Sequence, residues 1–185
     1  MLKMFYQLPN GNSFAHVSRS CTSTLCAHAL KKFWPERYEE FLQSDKSPQR
    51  WLDETWANRL PPHCLVMARS PVERLNSVIT RNGYSEEKVQ AVLDSCHRYA
   101  TMPRDLSRDL SIVTFHHIAP LAWIADNDSR FCLWPDVEKA CELLGLEFDP
   151  AIHENKLPQE AEESVKPEWM PLLYDSIGIW EALKQ

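Results

Sequence analysis

A chain of 185 residues that is 44% hydrophobic and 25% charged, with no low-complexity tract, has the length and composition of one globular domain with a real core. Its formal net charge of −6 argues against a general binder of DNA, RNA or another long polyanion, which carries a basic face, yet leaves room for one small anion in a local basic pocket. No run approaches the roughly 20 apolar residues of a membrane span, and "MLKMFYQLPN" lacks the apolar core of a secretory signal, so the expectation is a soluble, cytoplasmic protein without membrane contact.

In chain order, "LKMFYQ", Asn10-Gly11 and "SFAHV" suit a hairpin. Leu25, Ala29, Leu30 and Phe33 recur at helical spacing and predict a helix over 24–33, interrupted by Pro35. Residues 36–60, rich in Trp and charge, read as two short helices. "CLVMA" (64–68) is a short continuous apolar run, the mark of a strand buried on both faces. Ser70, Pro71 and Glu73 form an N-cap, a first-turn proline and a capping box, and Asn82-Gly83 is a stop signal. That helix carries an apolar stripe, Val72, Leu75 and Ile79, and a polar stripe, Arg74, Ser77 and Arg81. Further on, 86–99 reads as an amphipathic helix, "SIVTF" (111–115) as a strand, 119–126 and 135–144 as helices, the latter ending at Gly145. Residues 150–166 read as irregular and 167–183 as a closing helix.

Strands alternating with helices predict an α/β fold, with a mainly parallel sheet flanked by helices. A single domain is expected over 1–185, its core about 13–150 and its C-terminal extension about 150–185. The six cysteines, Cys21, Cys26, Cys64, Cys96, Cys132 and Cys141, are scattered through apolar patterns and read as reduced thiols. No CxxC or HExxH is present, so no metal site is expected.

Two turns fall at the carboxyl ends of predicted strands, where ligands of such sheets bind. "HVSRSCTSTLCAHAL" leads into the first helix with Arg19 and the hydroxyls of Ser20, Thr22, Ser23 and Thr24. A helix N-terminus with an arginine and several hydroxyl donors suits a phosphate or sulfate better than mere capping, which needs one hydroxyl. Arg69 leaves the buried strand, and Ser77 lies two turns along the next helix. Two basic strand ends point to a ligand with two separated anionic groups.

"SRSCTSTL" resembles the 5′-phosphosulfate loop of sulfotransferases, and "RSPVERLNS" is similar to their 3′-phosphate motif. "FHHIAPLAWI…RFCLWPDVEKACELLGLEF" and "YDSIGIWEAL" resemble the family's later strand, the helix ending in Leu-Gly-Leu and the closing helix, so the likeness spans about 13–182. The resemblance implies a P-loop-like fold and a transferase that moves a sulfuryl group from 3′-phosphoadenosine 5′-phosphosulfate to a hydroxyl or amine of a small-molecule or peptide acceptor. It implies Arg19 on the sulfuryl group, the loop Ser20, Cys21, Thr22, Ser23 and Thr24 on the 5′-phosphate, and Arg69 with Ser77 on the 3′-phosphate. The chain departs from the pattern at Ser18 (usually proline), Cys21 (usually glycine), Ser70 (usually aspartate) and Leu133-Trp134, where many relatives have an acid. "LPNGNS" is a second register for the phosphate loop.

An acceptor hydroxyl needs a general base. Glu40 is the first candidate by position, beside Glu36 and Glu39; His116, with His117, follows the third predicted strand, and His63 precedes the second. Cys21 at a helix start has the setting of a low-pKa thiol, but the phosphatase pattern needs an arginine where Ala27 stands. The competing expectation is a catalytically degenerate nucleotide- or protein-binding module, with the stretch from Trp34 to Trp56 as its partner surface or as an acceptor lid.

Overall fold

A computed structural model describes residues 3–17, 20–82, 85, 87, 130–133, 135–152 and 174–185. The chain groups into two compact units, Met1–Met67 with Trp123–Lys156, and Ala68–Ala122 with Leu157–Gln185. Among the described residues no helix is long and apolar enough to cross a membrane. The expected elements at 86–99, 111–115, 119–126 and 150–166 fall mostly or wholly outside the described residues.

The first unit is built on a hairpin. Strand β1 (Lys3–Gln7) pairs antiparallel with β2 (Ser13–Ala15), Tyr6 opposite Phe14. Leu8 N–H bonds Asn12 O at 2.8 Å and Gly11 N–H bonds Leu8 O at 3.0 Å. Gly11 sits at φ 86°, so Pro9-Asn10-Gly11 is a three-residue loop closed by a left-handed residue. Helices α1 (Thr22–Phe33) and α2 (Pro35–Leu42) follow, Pro35 opening the second. A single 3₁₀ turn at Pro48–Trp51 then leads to strand β3 (Glu54–Ala57). Strand β4 (Leu65–Ala68) is wholly buried, as its apolar run requires, and β5 (Arg130–Leu133) precedes helix α4 (Val137–Leu144).

The five-stranded sheet has the order β3-β1-β2-β4-β5. It is mixed, which corrects the expectation of a mainly parallel sheet: β1 is antiparallel to both β2 and β3, and β2 is parallel to β4 with Phe14 opposite Leu65. Strand β3 also corrects the reading of 36–60 as two helices. It is an edge strand with three of its four residues exposed, so it carries no apolar alternation to read.

The core lies where α1 and α4 cover the sheet. Leu25, Cys26, Ala29 and Leu30 of α1 and Ala140, Cys141 and Leu144 of α4 pack with Tyr6, Phe14, Leu65 and Met67. One buried polar group ties this layer together. His28 Nδ1 bonds the Thr24 carbonyl at 2.8 Å, and Asp149 N–H bonds Nε2 at 3.1 Å. A carbonyl only accepts, so the proton is on Nδ1. The ring stacks on Phe148 with centroids 5.7 Å apart, and Lys31 pairs with Asp149 at 2.6 Å. Under the same helix the Tyr6 hydroxyl lies 3.1 Å from His16 Nδ1. Burial, with Cys26 and Glu54 beside it, pushes the phenol far above its ordinary range, so it stays protonated.

Helix α4 ends as its sequence asks. Leu146 N–H reaches Cys141 O at 2.8 Å and Gly145 N–H reaches Glu142 O at 3.0 Å, with Gly145 at φ 66°. This is the paired closure of a left-handed helix end. Its last carbonyls are taken by the hairpin and by β5. Asn10 and Asn12 donate to Leu144 O at 2.8 and 3.0 Å, and Arg130 donates to Leu143 O at 2.9 Å. In the second unit, α3 (Pro71–Asn82) packs against α5 (Tyr174–Leu183).

Two glycines separate backbone strain from crowding. A Cβ at Gly11 meets nothing within 4 Å, whereas at Gly145 it falls 3.0 Å from Asn10 Nδ2, the donor to Leu144 O. In urea titrations Gly11→Ala is expected to cost about 1 kcal/mol, the left-handed penalty alone. Gly145→Ala is expected to cost up to about 1 kcal/mol more, because Asn10 Nδ2 must shift by a few tenths of an ångström and its bond to Leu144 O is weakened. Equal losses in the two variants would remove the Asn10 clamp from this account.

Candidate functional site

The first turn is shaped by one threonine. Thr22 Oγ1 accepts from Val17 N–H at 3.1 Å and donates to Val17 O at 2.8 Å, closing the loop that joins β2 to α1. A hydroxyl has one proton, and this one is given to Val17. The Thr22 hydroxyl therefore builds the loop and has no proton left for a ligand. Ser20 N–H turns back to Val17 O at 3.2 Å, and the helical ladder starts with Leu25 N–H to Cys21 O at 3.0 Å. The amides of Thr22, Ser23 and Thr24 come before that ladder.

Cys21, at the N-cap, has φ 52° and ψ 23°, the left-handed conformation that glycine adopts most easily, and makes no side-chain capping bond. The first turn of α1 holds no acid, while Lys31 and Lys32 stand in its last turn. No acid of the helix's own first turn thus offsets the positive end of the dipole, while the negative end is balanced. Ser20 is 0% exposed, and its Oγ has no hydrogen-bond partner among the described residues. An orphaned buried hydroxyl costs about 1–3 kcal/mol, so its place at a helix start asks for a reason. Ser23 Oγ accepts from Gln49 Nε2 at 2.7 Å, and Thr24 is buried with its carbonyl bonded to His28. Trp51, close to Gln49 in the 3₁₀ turn, also has a buried indole N–H without a partner among the described residues.

The second turn leaves β4 at Ala68. Arg69 Nε lies 3.4 Å from Glu73 Oε2, a long pair with a half-exposed carboxylate, worth at most about 1 kcal/mol. Glu73, read from the sequence as the closing member of a capping box, thus faces Arg69. Arg74 N–H bonds Ser70 O at 2.9 Å, which starts α3 at the expected cap. One helical turn apart, Arg74 and Ser77 are 2% and 4% exposed. Burial, and then the charge of Arg69, push the Arg74 guanidinium down to about 9. Two cations so close make this end of α3 favourable for an anion. Arg74 was legible only as one member of a polar stripe; the signal that marks it is its place as the second arginine of "RSPVERLNS".

The remaining candidates separate. Arg19, with Ser18, and His116, with His117, lie outside the described residues. Glu40, Glu36 and Glu39 are exposed on α2. His63 is exposed at φ 60° just before β4, where its carbonyl accepts from Arg130 Nε at 2.7 Å. "LPNGNS" is the hairpin loop, and its asparagine amides serve the end of α4. β2 and β4 are parallel, so this loop and His63 mark the edge where both strands begin, opposite the edge where both end. Of the Trp-rich stretch, Trp34 and Trp51 are partly buried, with the Arg37 guanidinium 6.0 Å from the Trp34 ring, and Trp56 is 50% exposed on β3.

Comparison with protein-family models, with curated proteins and with solved structures finds no match to this chain.

The Cys21 backbone gives a direct check on the loop. Cys21→Gly is expected to raise stability in urea by up to about 1 kcal/mol, because the left-handed conformation is then unstrained. Cys21→Val, β-branched at the same φ, is expected to lower it by about 1–2 kcal/mol. If both variants unfold like wild type, the loop is not held left-handed in solution.

Proposed function

We propose that the chain is a sulfotransferase that takes the sulfuryl group of 3′-phosphoadenosine 5′-phosphosulfate to a hydroxyl or amine acceptor. The observation that carries the reading is the Ser20 hydroxyl, fully buried and without a partner among the described residues, beside the acid-free first turn of α1. A 5′-phosphosulfate there accepts from Ser20 and from the first amides of the helix. Arg69 and Ser77, joined by Arg74, are assigned to the 3′-phosphate.

The reaction asks little covalent help from the protein. The acceptor oxygen or nitrogen attacks sulfur, and the bond from sulfur to the 5′-phosphate oxygen breaks. The acceptor proton passes to a base, for which Glu40 and His116 are the candidates. The chain's own work is to hold the donor in line and to stabilise charge on the leaving phosphate through fixed donors, with Arg19 on the sulfuryl oxygens.

A second reading is a nucleotide-binding module without turnover. It is favoured by Thr22, whose only proton serves Val17, and by the solvated position of Glu40.

Unfolding with and without 3′-phosphoadenosine 5′-phosphate tests the pocket. Nucleotide at 100 times its dissociation constant is expected to stabilise wild type by about 2.7 kcal/mol, and Arg69→Ala is expected to lose the effect. Ser20→Ala gives the sharper signature. It is expected to raise ligand-free stability by about 1 kcal/mol, by removing an orphaned hydroxyl, while weakening the nucleotide roughly tenfold. A labelled sulfuryl donor offered with hydroxyl and amine acceptors then separates transfer from binding alone. No stabilisation of wild type by the nucleotide would sink both readings.

A further inference from the structure

We propose that Cys21 is an oxidant-sensitive modification site, a thiol at the start of α1 that a hydroperoxide converts to a sulfenic acid. Its chemistry rests on the loop itself; only the consequence for ligand binding rests on the reading of the loop as a nucleotide site.

Among the described cysteines, exposure separates it from the rest. Cys21 is partly exposed, and Cys26, Cys64, Cys132 and Cys141 are buried. Burial pushes the Cys26 thiol well above its ordinary value, Cys64 and Cys132 up to about 11, and Cys141 up to about 12, so these four stay protonated at neutral pH. Cys21 stands instead at the N-cap of a 12-residue helix whose first turn holds no acid. Helix starts of this kind stabilise a thiolate, the form that reacts. An independent observation marks the same place as one prepared for an anion. The adjoining residue, Ser20, keeps a buried hydroxyl without a partner among the described residues.

The step is balanced. The thiolate attacks the distal oxygen of the peroxide, an S–O bond forms, the O–O bond breaks, and hydroxide (or alkoxide) leaves. Sulfur loses two electrons and the peroxide gains them. The added oxygen enters the loop, where it competes with a bound phosphate for the same donors.

The test uses the full chain, one equivalent of hydrogen peroxide, dimedone to trap sulfenic acid, iodoacetamide to trap thiolate, and peptide mass spectrometry to locate both. The expected result is a dimedone adduct on Cys21, with alkylation there roughly tenfold or more faster than at Cys26, Cys64, Cys132 and Cys141. No adduct on Cys21, or alkylation no faster than at the buried four, would overturn the proposal. Repeating the alkylation with saturating 3′-phosphoadenosine 5′-phosphate is expected to slow it at least fivefold. A Cys21 that reacts fast whether or not nucleotide is present upholds the modification site and removes the nucleotide from the loop.

Discussion

The parallel pairing of β2 with β4, Phe14 beside Leu65, is the constraint from which the rest of the first unit follows. The hairpin sends β2 antiparallel to β1. A parallel neighbour cannot follow β2 through a tight turn and needs a long crossover. Residues 16–64 are that crossover. They lay α1 on one face of the sheet, place β3 on the far side of β1, and return the chain to start β4 at the edge where β2 started. Strands so placed are buried on both faces, which is why Phe14, Leu65 and Val66 are all wholly buried.

The two edges of the sheet then differ in kind. At the edge where β2 and β4 begin, polar groups are matched. Asn10 and Asn12 serve Leu144 O, and the Arg130 guanidinium serves Leu143 O, His63 O and Asn12 Oδ1. Hydrogen bonds to a charged group of about 1.5–3 kcal/mol each make Arg130 a clamp on three segments. At the other edge the loop after β2 holds a left-handed cysteine and an orphaned serine. Each is a local cost of about 1 kcal/mol or more, and a chain selected for stability alone would shed both. Each end carries one left-handed non-glycine residue, His63 where β4 begins and Cys21 after β2, so what sets the second end apart is the unmet hydroxyl of Ser20.

Much of the frame was legible because its signals are local. Asn10-Gly11 closes the hairpin, the spacing of Leu25, Ala29, Leu30 and Phe33 gives α1, "LVMA" gives the buried strand, and Gly145 ends α4. What was not legible depends on partners far away in sequence. Strand β3 is exposed on its edge, and only its pairing with β1 defines it. The mixed character of the sheet is likewise a property of pairings, because each strand reads the same in either direction. Glu73 looks like a capping-box residue, yet the guanidinium four residues earlier claims it.

The hydroxyls of the loop make the same point about the site. Ser20, Thr22, Ser23 and Thr24 are equivalent in a sequence, each a donor within reach of a helix start. In the fold their protons and lone pairs have different fates. Thr22 uses its oxygen twice on Val17, Ser23 accepts from Gln49, and Ser20 is buried with neither capacity used among the described residues. Counting hydroxyls therefore overstates the anion site, and finding where each proton goes narrows it. Thr22 holds the loop through Val17, and Ser20 Oγ in the same loop is left unsatisfied. A hydroxyl proton already committed to the backbone cannot also meet an incoming anion, so on the proposed reading Ser20 and not Thr22 is the hydroxyl left for it.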